Sequence, residues 1–299
     1  MENSLVVAVL AGLGGMFGWG VAEFATKKSV DRIGSVSSLV WAHVLGTAVL
    51  LVFLLLSYFG FHHVISVPTT GGQWLGLAFF GTLQTIVYFY AYRGFEHGQV
   101  AVLSPIFASF AGIVALISVT FLGERFNLGL VPALAAIFCG ILLLNLDVKA
   151  FQGRRLRVVG APGVRDIAIA TVLATGWTLG WARFVGNQDE LTYTLLMFFF
   201  MTMSAYLVAR VQKVKLSGVA RDIWPFLWLI GAGEAIAYFA VSVGYANTSR
   251  TSVIALLSGA SSLPTIILAR IFLKEKLNRM QMIGSLTIVF GIALLYLLK

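Results

Sequence analysis

Apolar positions in this chain do not alternate with polar ones; they run on for about twenty residues at a time, broken by short clusters of charge, glycine and proline. About 30 Å of hydrocarbon is crossed by roughly 20 residues, each rising about 1.5 Å, so each run is long enough to span a bilayer as a helix. Barrel strands need about half that length and alternate. The runs predict ten spans, near 5–25, 35–59, 73–92, 99–122, 127–146, 166–185, 191–211, 223–245, 250–273 and 278–298. Lys27, Lys28, Asp31 and Arg32 close the first span, and His62, His63, Pro68, Gly71 and Gly72 separate the second from the third. Tight turns are expected at Gly123, Glu124, Arg125 and Asn127 and at Lys274, Glu275, Lys276 and Asn278. The longest break carries Arg154, Arg155 and Arg157 and divides the chain into a first half (1–147), a basic linker (148–165) and a second half (166–299).

Composition agrees. Of 299 residues 59% are hydrophobic and 11% charged, against about 45–50% and about 25% in soluble domains. This excludes a single water-soluble domain, a disordered chain and an ordinary nucleic-acid binder. The single cysteine, Cys139, leaves no internal disulfide and no multi-cysteine metal site. The net charge of +9 has a membrane explanation. Breaks after the odd-numbered spans carry 17 Lys and Arg, those after the even-numbered ones only Arg125, Arg183 and Arg250. Basic loops stay in the cytoplasm, so both termini are expected outside, in a multi-pass protein of the cell's inner (plasma) membrane. The start, Met1-Glu2-Asn3-Ser4, lacks the basic region of a cleaved signal peptide.

The second half repeats the first. Gly81, Gln84, Tyr88, Phe89 and Gly94 reappear 150 residues later as Gly231, Glu234, Tyr238, Phe239 and Gly244. Phe121, Glu124 and Arg125 reappear at an offset of 151 as Phe272, Glu275 and Lys276, and Gly18-Trp19 matches Gly176-Trp177. Each half holds five spans, an odd number, so the halves insert with opposite orientation. The expected fold class is an all-α integral membrane protein with ten transmembrane helices in a five-plus-five inverted repeat. Such repeats are a transporter signature, with binding near the midplane; a duplicated structural bundle without transport is the competing reading. A rocking motion would hinge near Gly94 and Gly244, where spans three and eight end.

At these residues the chain resembles a known family. Trp19-Gly20 with Lys27 eight residues after the tryptophan is similar to the opening of the EamA-type members of the drug/metabolite transporter superfamily. Both halves also close in the family's manner, with an apolar helix, a short turn around Glu124 or Glu275, and a glycine-containing last span. The resemblance covers nearly all of the chain. It implies a secondary transporter that exports small organic metabolites, such as amino acids, aromatic compounds or amine-like drugs, by alternating access. Two features depart from the pattern: Ser261-Ser262, with Pro264 shortly after, where a proline often precedes the last turn, and a carboxylate, Glu23, in the opening motif.

Polar groups inside lipid are costly and face the bundle interior or a wet cavity. Glu234 sits at mid-span, its repeat mate Gln84 at the same depth, and Tyr88 and Tyr238 share their helical faces one turn on. These four are candidate substrate-binding residues, with Glu234 also the candidate proton carrier; the competing reading of Glu234 is a neutral residue bonding two helices together. Tyr238 is expected to donate a hydrogen bond to it. Glu23 either lines the inner vestibule as a further candidate for proton coupling, as its resemblance to the essential carboxylate of small multidrug transporters implies, or pairs with Lys27. His43 either relays protons or rests against a backbone carbonyl. Trp19, Trp177 and Trp181 either line an aromatic cavity suited to cationic solutes or pack as core. Arg183 either meets a substrate carboxylate or marks the end of span six. Ser258 and Ser262 line the cavity if Gly259 and Pro264 break span nine, or allow close packing if they do not.

The sequence has no phosphate-binding loop, zinc-protease motif, nucleophile elbow or dinucleotide fingerprint. No cofactor or metal is expected, and no enzymatic activity. The expected partners are a small-molecule substrate and the bilayer, without nucleic acid, for a monomer or homodimer. The alternatives are an uptake carrier or exchanger, a channel, or a membrane-embedded lipid enzyme.

Overall fold

Lipid offers the backbone no hydrogen-bond partners, so each apolar run satisfies its own as a helix. The computed structural model describes residues 2–97, 100–124, 128–146, 162–274 and 276–298. Its helices are α1 Glu2–Ile33, α2 Ser35–Phe61, α3 Gly71–His97, α4 Val100–Thr120, α5 Val131–Asn145, α6 Val164–Val185, α7 Glu190–Val211, α8 Trp224–Asn247, α9 Thr251–Ser258, α10 Ser262–Phe272 and α11 Arg279–Leu297. Ten candidate spans result, with α9 and α10 forming the ninth; no strand occurs among the described residues. The basic stretch 147–161, with Arg154, Arg155 and Arg157, lies outside the described residues, as do Arg125, Asn127 and Glu275.

Local chemistry sets the ends. Gly34 takes a left-handed conformation (φ 81°) between α1 and α2, and Gly163 does so (φ 79°) before α6. Proline stands in the first turn of α5 and of α8, where its missing N–H is not needed. Asn278 and Gln281 form a capping box on α11. Three expected ends move. The run Lys27–Arg32 does not terminate α1, which continues to Ile33 because nothing in that run breaks a helix. Likewise α3 and α8 pass through Gly94 and Gly244 to His97 and Asn247. Those glycines are packing points, with an added Cβ falling 2.6 Å from Ile167 and 2.5 Å from Ala11 respectively.

The packing repeats itself under exchange of the halves. Helix α1 packs on α8, and its counterpart α6 packs on α3; α2 meets α8 as α7 meets α3; α1 meets α9 as α6 meets α4. The pairs α2–α7 and α5–α11 map onto themselves. Within them the contacts are reciprocal. An added Cβ on Gly140 meets Ile288, and one on Gly291 meets Ile137, each at 2.7 Å; the partners are related by an offset of 151. Thr47 and Thr202, related by 155, hydrogen-bond each other at 3.0 Å. Self-complementary contact of this kind marks a two-fold axis.

Small residues let the backbones approach where lipid supplies no hydrophobic drive. A Cβ on Gly231 would lie 2.6 Å from the Ala42 carbonyl oxygen, and one on Gly81 2.7 Å from that of Met197. Large apolar side chains such as Leu56, Phe59, Leu75, Leu207 and Leu286 face outward, the surface lipid requires. Gly81→Ala and Gly231→Ala should therefore each lower stability by about 1–3 kcal/mol through overpacking. Gly176→Ala, whose added Cβ meets nothing within 4 Å, should not. Thermal melts in one detergent check this; equal melting temperatures for all three variants would show that the close approach carries no stability.

Candidate functional site

Helices α3 and α8 each present a polar side chain and, one turn on, a tyrosine, and the axis turns these faces toward each other. Gln84 donates from Nε2 to the Tyr238 hydroxyl at 2.6 Å, and the Tyr88 and Tyr238 hydroxyls lie 3.2 Å apart. Tyr238 thus bonds across the axis and not to Glu234 on its own helix, as had been expected. Glu234 meets α2 instead: its Oε2 is 3.3 Å from Nε2 of His43. Both side chains are buried. His43 therefore faces a carboxylate as well as the Leu39 carbonyl of its own helix, and its ring lies edge-on to Tyr88 and Phe198. No hydrogen-bond donor is aligned on Glu234 Oε2 or on Gln84 Oε1.

A cavity of about 310 Å³ extends from this centre. Trp19, Gln84, Tyr88, Trp177, Glu234 and Tyr238 line its inner end. Trp19 and Trp177, repeat mates, both meet the Tyr238 ring edge-on, at 5.1 and 5.4 Å. Trp177 is fixed by donating to the Phe80 carbonyl at 3.0 Å. Toward the ends of the helices with basic connections the lining continues through Glu23, Tyr92, Asn145, Ser258 and Ser262. Glu23 accepts from Ser261 at 2.8 Å and from Thr265 at 3.0 Å, so its partners are hydroxyls of span nine and not Lys27.

Span nine is broken at 259–261. Ser258 and Ser262 flank the break and both face the cavity. Close packing operates as well, since an added Cβ on Gly15 would lie 2.7 Å from Ser258 and one on Gly259 2.6 Å from Ala111. Trp181 stands apart from the cavity. It is wholly buried, stacks on Trp177 and donates to Ser242 at 2.9 Å, within an aromatic cluster with Phe80, Phe184 and Tyr193. Arg183 lies exposed in the last turn of α6. Sequence reasoning noted Ser261 and Thr265 in span nine without joining them to Glu23, and passed over Asn145 and Tyr92. Of these Tyr92 was legible, because it extends the stripe Gln84, Tyr88 by one more turn.

On the opposite face the connections are tied to the helices. Asp189 caps α7 and takes bonds from Thr192 and the Ser66 amide, with His63 Nε2 at 3.1 Å. Glu124 accepts from the Ser252 amide and hydroxyl at the start of α9. Burial raises the Glu124 carboxyl above its ordinary range, while the Ser252 bonds and Arg250 draw it back in part. For Asp189 burial also pushes upward, but the bonds from Thr192, Ser66 and His63 win and hold it below the usual range.

Ten candidate spans in two halves packed about a two-fold axis, with a largely aromatic cavity holding two carboxylates, define a multi-pass membrane protein. The EamA-like transporter family matches residues 6–146 and 163–297, and the chain belongs to that family. It is a membrane transporter of the drug/metabolite type. A solved structure described only as "Crystal structure of protein" shares 18% identity and superposes with a TM-score of 0.76, covering 98% of this chain and 99% of that one; this likeness concerns the fold. No curated protein matches the chain.

The depressed Asp189 carboxyl makes stability pH-dependent with a definite sign. Its contribution is present above the unfolded value of about 3.9 and is lost as pH falls through the lower folded value. Asp189→Asn retains a capping side chain but removes the charge. It should melt lower than the native protein at neutral pH and show a flatter decline below about pH 4. Parallel melting curves over that range would remove the ionised carboxylate from the account.

Proposed function

We propose that this protein is a secondary transporter that exports small organic metabolites by alternating access, coupled to proton entry, with Glu234 as the proton-carrying group. The observation that carries the reading is the position of Glu234: a buried carboxylate at the cavity's inner end, beside His43 and facing its non-ionisable repeat mate across the axis. A site that binds substrate and proton in turn needs one group able to hold either, and intramembrane carboxylates serve as such relays. Gln84, Tyr88, Trp19, Trp177 and Tyr238 form the substrate walls, with Ser258 and Ser262 at the helix break. Glu23 lines the entry. The cavity runs toward the basic connections, which the positive-inside rule assigns to the cytoplasm of a cell bounded by this inner membrane; loading from that side supports export.

Glu234→Gln keeps shape and hydrogen bonding, removes titration, and makes the position equal to Gln84. In proteoliposomes with a pH-sensitive dye inside, solutes from a metabolite panel that evoke proton movement through the native protein should evoke none, or at least tenfold less, through this variant. Its melting temperature and membrane insertion should be retained. An impermeant maleimide should reach a cysteine at Lys215 only after cells are permeabilised, which tests the sidedness in parallel. Native proton movement in the Glu234→Gln protein would assign Glu234 to structure and leave Glu23 as the coupling group.

A further inference from the structure

Resting on the carrier reading above, the structure assigns the cavity to organic cations: amines with an aromatic or apolar body and no carboxylate. Amino acids, which a broad metabolite carrier would accept, are excluded by the same site.

The charge inventory is the first ground. Among the described residues that line the cavity the ionisable side chains are Glu23, Glu234 and tyrosines; none is Lys, Arg or His. This is set against a chain with 21 Lys and Arg and 12 Asp and Glu, so the acidity is local. Among the described residues the basic groups at neighbouring helix ends lie outside the lining. Lys27 is exposed one turn beyond Glu23, Lys28 lies 5.6 Å over the ring of Phe226, and Arg93 pairs with Asp166 at 3.4 Å. His43 touches Glu234 from behind.

The second ground is the helix break. A broken span offers a carboxylate one ready seat, the N-terminal end of the following half-helix. Here Glu23 stands beside that end, the start of α10, accepting the hydroxyls of Ser261 and Thr265. A second carboxylate would meet the first with no cation between them. The unmet demand of the site has the opposite sign. Gln84 Oε1 is a buried acceptor without an aligned donor, Glu234 Oε2 has the unaligned Nε2 of His43 beside it at 3.3 Å, and Glu23 uses two of a carboxylate's roughly four lone-pair directions. An ammonium group brings three donors and no acceptor.

The third ground is the wall. Trp19, Tyr88, Tyr92, Phe107 and Trp177 surround the space between the two carboxylates. Aromatic faces attract a cation and pack on a ring, and the attraction grows once water is excluded. A ligand carrying its charge at one end and an aromatic body at the other satisfies walls and acceptors together.

Four probes of one skeleton test the assignment: 2-phenylethylamine, 2-phenylethanol, L-phenylalanine and 3-phenylpropionate. Their binding to the full-length protein in nanodiscs is measured by calorimetry at pH 7.5, without a gradient. The amine should bind at least tenfold more tightly than the alcohol, and the two carboxylates more weakly than the alcohol. Glu23→Gln should lower amine affinity at least tenfold and leave alcohol affinity within about twofold, which also shows that the variant is folded. Carboxylates binding as tightly as the amine, an amine affinity untouched by Glu23→Gln, or no amine binding at all would each overturn the assignment. The two readings fail separately. Selective amine binding without proton-linked transport removes the carrier reading alone, and proton-linked transport of a carboxylate removes the cation assignment alone.

Discussion

Gly81 and Gly231 bring two pairs of helices to backbone contact at the centre of the membrane, and the rest of the structure hangs on that approach. In lipid, helices gain little by hiding apolar surface from one another, so close backbone packing and interhelical hydrogen bonds must hold them. Gly231 rests on Ala42 and Gly46 of α2, and Gly81 on Met197 and Met201 of α7. The two sets are the same contact seen from either half, offset by 150 on one helix and 155 on the other. Gly81 thus seats α3 on α7 and Gly231 seats α8 on α2, and in that frame Gln84 on α3 reaches Tyr238 on α8 with the Tyr88 hydroxyl beside it.

The frame is symmetric and its chemistry is not. Extending the same offsets, Glu23 corresponds to Trp181, His43 to Phe198 and Glu234 to Gln84. Glu23, His43 and Glu234 each have a mate that cannot titrate. The contacts follow suit: His43 meets Tyr88 edge-on as Phe198 meets Tyr238. Glu23 lines the cavity, whereas its mate Trp181 stands in a packed aromatic cluster. A symmetric scaffold with two equivalent packings supplies two states of similar energy. Under the proposed carrier reading, the asymmetric groups decide which state a proton or a ligand favours, since a ligand shifts such a balance only by binding one state better.

Span number and order, the division into halves and the opposition of Gln84 to Glu234 were legible because they rest on run length and on a repeat, both written linearly in the sequence. Helix ends were less so. Lys27 to Arg32 looked like a boundary, yet charge alone does not stop a helix. What one sequence could not show was contact across elements not related by the repeat. His43 beside Glu234 joins α2 to α8, and Glu23 beside Ser261 joins α1 to the break in span nine; no periodicity encodes either. Trp181 misled for a related reason. It shares a helical face with Trp177, but neighbouring turns of one face can meet different surroundings, here the cavity and a buried cluster.

If the halves exchange packings, paired positions on the two faces must trade distances. His97 and Lys274 end α3 and α10 on the face toward which the cavity runs; Asn247 and Gly123 are their repeat mates on the other. Spin labels on each pair, read by double electron–electron resonance at high and low pH, measure this directly. Alternation predicts two populations for each pair, with the weight of the longer His97–Lys274 distance falling as that of the longer Asn247–Gly123 distance rises. A single unchanging distribution for both pairs, or both lengthening together as in an open pore, would contradict the account.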